Sequence, residues 1–204
     1  AAVVAMNSTL AAATGGISVF ALRYAMTKKY DVGALCNGIL AGLVSITAGC
    51  ANVECGSAIA ISFIGAFIYQ GASMLLVKLK IDDPVDAVPV HGACGAWGTL
   101  AVALFDWGSG FDQYHGWNGF NCMTNKDGTC MKNVGGTAIG AQLVMILVIV
   151  LWAGSLSSLT FFILKVTKCL RIDDDTEQMG LDAKQHSPPK AYTLEVLAPQ
   201  TPRS

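Results

Sequence analysis

What most constrains this chain is the recurrence of long stretches with almost no charge: residues 1–26, 33–51, 57–77, 84–105 and 136–164. Each is close to the roughly 20 residues a helix needs to cross about 30 Å of hydrocarbon, and the last is long enough to be tilted or bent. Backbone groups in lipid must be satisfied within a helix or a closed barrel, and these stretches lack the alternation of a barrel strand. The expectation is an all-α, polytopic bundle of five membrane-spanning helices. Only 13% of residues are charged, against about 25% in an ordinary soluble domain, which excludes a soluble enzyme. Thirteen basic residues against 14 acidic ones leave a net charge of −1, so no nucleic-acid footprint is written into the balance.

Position matters more than balance. Arg23, Lys28 and Lys29 flank the end of the first stretch, Lys78 and Lys80 the third, and Lys165, Lys168 and Arg171 the fifth. The opposite loops carry only Lys126 and Lys132. By the positive-inside bias the three basic ends face the cytosol, the C-terminus with them. The chain opens AAVVAMNSTLAAATGG, with no initiator methionine and no basic region of a signal peptide. It reads as the C-terminal portion of a longer membrane protein, with some functional residues upstream of Ala1.

The stretch DPVDAVPVHGACGAWGTLAVALF, residues 83–105, carries an ionisable ring inside an apolar helix. Asp83 suits the N-cap, Pro84 the first turn, and Asp86 the third helical position, a capping-box-like start with a carboxylate against the helix dipole. His91 then falls about two turns in, on the order of 10 Å along the axis. Pro89 inside that helix is expected to free the Val85 carbonyl and bend the helix beside a lumen. Gly92, Ala93, Cys94, Gly95, Ala96 and Gly98 follow, and small residues recur at Gly38 and Gly42, at Ala58, Ser62 and Ala66, and at Gly136 and Gly140. Such spacings let helix backbones approach closely in a tight bundle.

Three roles are open to His91: a neutral ring hydrogen-bonded to a neighbouring helix, a functional intramembrane group, or a metal ligand with Cys94. The metal reading lacks a third ligand in sequence reach, and no Ser, Cys or Asp forms a catalytic couple with the ring. No cofactor or metal is expected.

The run KIDDPVDAVPVHGACGAWGTLAVALF resembles the segment that carries the second pore histidine in ammonium transporters of the Amt/Mep/Rh family, of the plant and algal kind in particular. GALCNGILAGLVSITAGCA resembles a preceding helix of that family, and LRIDDDTEQMGLDAKQHSPPKAY its cytosolic regulatory segment. The resemblance covers nearly the whole chain. It implies a homotrimer of eleven-helix subunits in the plasma membrane, each with a narrow hydrophobic pore for ammonium or ammonia, of which this chain would be the C-terminal half. The first pore histidine, the outer aromatic gate and the outer cation-recruiting residues would then precede Ala1.

On that resemblance His91, Leu40 and Ala87 are pore residues, and His91 handles deprotonation and selectivity. Asp86 stands where the family keeps a carboxylate near the cytosolic mouth; for Asp86 and Asp83 a helix cap is at least as good a reading as a vestibule role. Gly180, Leu181 and Asp182 correspond to the regulatory tail, where a cytosolic regulator or kinase would act. An ammonium sensor that signals through the tail is the alternative function, and a nonconducting scaffold a third.

Two departures from the family pattern stand out: Pro89 beside the histidine, and Lys184 where plant members place a phosphorylatable threonine. Thr176 and Ser187 are read as exposed hydroxyls. Residues 1–171 form the expected membrane domain, with an external loop at 106–135, and residues 172–204 a partly disordered cytosolic tail. In the loop, Cys122 and Cys130 are candidate disulfide partners on an oxidising exterior, although spacing alone does not decide it. His115 reads as a surface residue, and Cys36, Cys50, Cys55, Cys94 and Cys169 as helix or interface residues.

Overall fold

The structure is a computed structural model that describes residues 1–105 and 137–181. Among the described residues it is all-helical: α1 (Ala2–Thr27), α2 (Val32–Thr47), α3 (Cys55–Leu79), a π-helical turn (Val88–Ala93) leading into α4 (Cys94–Phe105), α5 (Thr137–Val166) and α6 (Asp174–Met179). Two compact units divide the chain, Ala1–Ile149 and Val150–Ser204, and α5 runs through the division.

Four of the five expected spans are long and apolar enough to cross a membrane: Ala2–Thr27, Cys55–Leu79, Val88–Phe105 and Ile139–Val166. The expected second span, 33–51, is shorter than read. Its helix stops at Thr47 after 16 residues, about 24 Å at the usual rise. Turns at 48–53 replace the rest, with the Gly49 amide on the Ile46 carbonyl and the Val53 amide on that of Gly49. The cause lies on α1. Asn7, fully buried, donates its side-chain amide to the carbonyls of Cys50 and Val53 at 2.9 and 2.7 Å, so the bend meets a polar partner inside the bundle. Buried carbonyls that leave a helix need such a partner.

In the first unit α2 and α3 occupy the middle, with α1 against both on one side and α4 against both on the other. Chain direction alternates, so α2 and α4 run parallel. Small residues set the spacing. A methyl group built on Gly42 would run into the Ala11 carbonyl, and one on Gly15 would lie 2.7 Å from the Gly42 Cα, so α1 and α2 meet backbone to backbone. A methyl group on Gly98 would lie 2.6 Å from the Ser45 carbonyl oxygen, so α2 and α4 meet in the same way. Two apolar clusters fill the interior. One joins Val19, Ala34, Ala41, Ala66, Tyr69, Val90 and Cys94, and the other joins Ala11, Ile46, Val53, Ala58, Ile61 and Ala101.

The helix ends have local causes. Asp31 caps α2 by accepting from the Ala34 amide at 2.9 Å, and its other oxygen pairs with Arg23 of α1 at 3.6 Å. Lys28 and Lys80 close α1 and α3 in the left-handed region, at φ 57° and 58°.

The close approaches make a direct test of packing. Gly98→Val should destabilise the protein by about 1–3 kcal/mol through overpacking. Gly56→Ala, whose added carbon meets nothing within 4 Å, should stay within about 0.5 kcal/mol of wild type. Thermal unfolding of the detergent-purified protein checks both.

Candidate functional site

The chemistry-bearing residues gather where α3 ends and the chain turns back toward the bundle. Asp83 accepts from the Ala87 amide at 2.9 Å and from the Val88 amide at 2.8 Å. Its carboxylate thus meets two amides at the start of a helix that begins at 87–88 rather than at Pro84, so Asp83 does not stand at the expected N-cap position next to Pro84. Pro84 lies in a turn outside the helix. Asp86 explains the displacement: it adopts a left-handed conformation, φ 56°, which a right-handed helix cannot run through.

Three expectations change with that start. Pro89 stands within the first two helical positions, where a missing N–H costs nothing, so it neither breaks a helix nor frees a carbonyl. The Val85 carbonyl lies outside the helix and accepts from the Asn37 side chain at 3.5 Å. Asp86 is not a capping-box residue: its carboxylate accepts from the Tyr69 hydroxyl at 2.6 Å and from the Ser73 hydroxyl at 3.1 Å to each oxygen. The local irregularity expected near the histidine is present in a different form. Residues 88–93 are π-helical, with the Cys94 amide reaching the Pro89 carbonyl five residues back. Such widened turns concentrate at functional sites.

His91 lies in that turn, about one helical turn from the start and not two, or roughly 6 Å along the axis. It is exposed in this chain rather than buried, because α2 and α3 cover only one side of α4. Cys94 is fully buried, with its thiol on the Gly65 carbonyl, so it stands within the bundle while His91 stands at its surface. Among the described residues no group of three or more His, Cys, Asp or Glu side chains could hold a metal.

The parallel register of α2 and α4 places Leu40. Val44 stands opposite Gly95; one turn before Val44 is Leu40, and one turn before Gly95 is His91, so the two stand level. Leu40 is 45% exposed, and Ala87, in the same turn as the capping amides, is also exposed. The structure thus places Asp83, Asp86 and Ala87 in the connection between α3 and α4, His91 one turn further on, and Leu40 midway along α2.

This arrangement sits in a chain whose sequence matches the Ammonium Transporter Family over residues 1–192. The chain belongs to the ammonium transporter family. It is 37% identical to "Ammonium transporter 1 member 1" of Arabidopsis thaliana over 182 residues, 89% of this chain and 35% of that protein. It is also 37% identical to "Ammonium transporter 3" of Dictyostelium discoideum, over 87% of this chain and 40% of that protein. Among solved structures, the "Sensor Amt Protein" superposes with a TM-score of 0.72 at 34% identity, covering 90% of this chain and 42% of that one. Mep2 of Saccharomyces cerevisiae gives 0.68 at 28%, covering 85% and 37%. The chain therefore spans nearer a third than half of the curated relatives' length, and the expected half transporter is corrected to that extent.

The remaining family-derived positions divide. In the second unit Gly180 ends α6 at φ 85°, its amide on the Thr176 carbonyl, and Leu181 is exposed. Thr176, expected to be an exposed hydroxyl, is 1% exposed and donates to Asp173 at 2.6 Å; the N-terminal cap of α6 takes its hydroxyl out of reach. Asp182, Cys122, Cys130, His115, Lys184 and Ser187 lie outside the described residues.

Sequence reasoning missed Asn37, Tyr69, Ser73 and Asn7. The available signal was polarity within an apolar stretch, where hydrogen-bonding side chains face other protein groups. Tyr69 and Ser73 also share a helix face by their spacing of four.

The cap at Asp83 is testable by itself. Asp83→Ala should cost about 1 kcal/mol by leaving two helix-start amides without their acceptor, seen as faster hydrogen–deuterium exchange at Ala87 and Val88.

Proposed function

We propose that this chain contributes to an ammonium-conducting pore, with His91 on the pore wall. The observation that carries the reading is the placement of His91, in a widened turn and level with Leu40, on a face of the helices that this part of the fold leaves open. Family membership supports the substrate class, as the curated relatives named above from Arabidopsis thaliana and Dictyostelium discoideum are named ammonium transporters.

The mechanism follows from solvation. An apolar lumen strips water from a strongly hydrated cation, so the wall must replace the lost hydrogen bonds or let ammonium shed a proton and pass as ammonia. A neutral imidazole supports both, with one nitrogen accepting and the other donating. K⁺ can neither donate a hydrogen bond nor lose a proton, which gives the wall a basis for discrimination. Leu40 and Ala87 keep the path apolar beside the ring, so the cation gains no alternative shell there.

The same reading takes a homotrimer in the plasma membrane with a cytosolic C-terminus. Lys28 and Lys29 after α1 and Lys78 and Lys80 at the end of α3 lie on one side of the first unit, which supports a cytosolic placement of that side. Gly180, Leu181 and Asp182 would meet a cytosolic regulator.

The test is ammonium-dependent current and intracellular pH in cells expressing the full-length gene product, with K⁺ as the competing ion. His91→Ala should lose most of the ammonium current or begin to carry K⁺. A variant indistinguishable from wild type would make the ring a packing residue.

A further inference from the structure

Asp86 spends its side chain on α3 and none of it on the helix it precedes. The cap is supplied by Asp83, which takes the Ala87 and Val88 amides. Asp86 instead accepts from the Tyr69 hydroxyl at 2.6 Å and the Ser73 hydroxyl at 3.1 Å. Tyr69 is itself held: it is 2% exposed, and its oxygen accepts from the Asn37 side chain of α2 at 3.2 Å. The same Asn37 amide reaches the Val85 carbonyl. Side chains from two helices thus converge on two consecutive residues of the connection.

Those two residues are the root of the π-helical turn. The first backbone bond into that turn runs from the Val90 amide to the Asp86 carbonyl at 3.0 Å. Asp86 also holds the left-handed φ of 56°, a conformation tolerated by aspartate but sparsely populated. Relaxing that angle would rotate everything built on the Asp86 carbonyl, His91 included. Strained backbone persists only where its surroundings over-determine it, and three side-chain donors on two residues, Asn37 on Val85 and Tyr69 and Ser73 on Asp86, do so here.

We propose that Asn37, Tyr69, Ser73 and Asp86 form a clamp that fixes the π-helical turn and so sets where the His91 ring stands. They are positioning residues for transport, acting through the ring and not on the ion, and the proposal rests on the reading of His91 as a pore group. It also explains why a carboxylate occupies this position when the helix cap is already supplied: an anion accepts from two hydroxyls more strongly than a neutral amide could.

The experiment uses the full-length gene product in cells, with surface protein quantified and both ammonium current and the ammonium-to-K⁺ permeability ratio recorded. Tyr69→Phe keeps the ring volume and removes both hydrogen bonds of the hydroxyl. Its ammonium current per surface protein should fall about tenfold, with a lowered permeability ratio, the scale of losing one hydrogen bond to a charged group. Ser73→Ala should shift the ratio in the same direction, and Ser73→Thr, which keeps a hydroxyl, should restore it. If Tyr69→Phe does not reach the surface, the two Ser73 variants decide. An unchanged ratio in Tyr69→Phe and Ser73→Ala, in a background where His91→Ala alters it, overturns the clamp and leaves the pore reading standing. Current that falls only in proportion to surface protein overturns it as well. Absence of ammonium current in wild type, or a silent His91→Ala, overturns the pore reading itself.

Discussion

Inside an apolar bundle, a backbone group that leaves helical geometry has no water to turn to and must find its partner in the protein. The first unit leaves helical geometry between α2 and α3 and again between α3 and α4, and each departure has side chains that answer it. Asn7 takes the Cys50 and Val53 carbonyls. Asp83 takes the Ala87 and Val88 amides, and Asn37 reaches the Val85 carbonyl. For the α2–α3 turn, which lies inside the bundle, losing the Asn7 pairing would leave a desolvation cost of several kcal/mol per carbonyl; the pairings of the exposed α3–α4 connection fix geometry instead.

Close packing then decides which face is left for the ring. Lipid tails are as apolar as leucine, so helices in a membrane gain little by hiding side chains and associate through tight contact instead. Gly15 and Gly42 draw α1 onto α2, and Gly98 draws α4 onto the Ser45 carbonyl. With α4 held this closely, its buried face is taken by small residues, Cys94, Gly98, Ala101 and Ala103, and has no room for a bulky group. The His91 ring is left on the exposed side of the turn.

Much of this was legible in sequence because it follows from gross patterning. Length and apolarity pointed to spans at 1–26, 57–77 and 136–164, where the helices run 2–27, 55–79 and 139–166, and the small-residue spacings at Gly38 and Gly42 and at Gly98 marked true backbone contacts. That Asp83 would meet backbone amides near a helix start followed from local chemistry, although the amides it meets are those of Ala87 and Val88. What failed needed tertiary information. The start of the helix near Ala87 and the role of Asp86 are set by Tyr69 and Ser73, more than ten residues earlier, and propensity cannot weigh a left-handed aspartate against a capping box. The early end of α2 depends on Asn7, some forty residues away. Thr176 looked exposed because a polar tail usually is, yet Asp173 claims its hydroxyl.

The π-helical turn joins the cap, the close packing and the ring. A π turn has poorer stacking than an α turn and survives where something else requires it. Pro89 tolerates it passively, since it stands within the first two helical positions, where a missing N–H costs nothing. Asp86 favours it actively, since fixing the root of the turn against α3 leaves the chain between Asp86 and the buried Cys94 to absorb any mismatch in length. Cys94 is held by the Gly65 carbonyl of the same helix that holds Asp86. With both ends tied to α3, the widened turn between them is the segment that can bulge outward, and His91 sits on that bulge. A histidine on a regular helix at this position would have its height and angle set by helical geometry alone. Here they are set by two anchors on a neighbouring helix, so the ring's position is a property of the bundle.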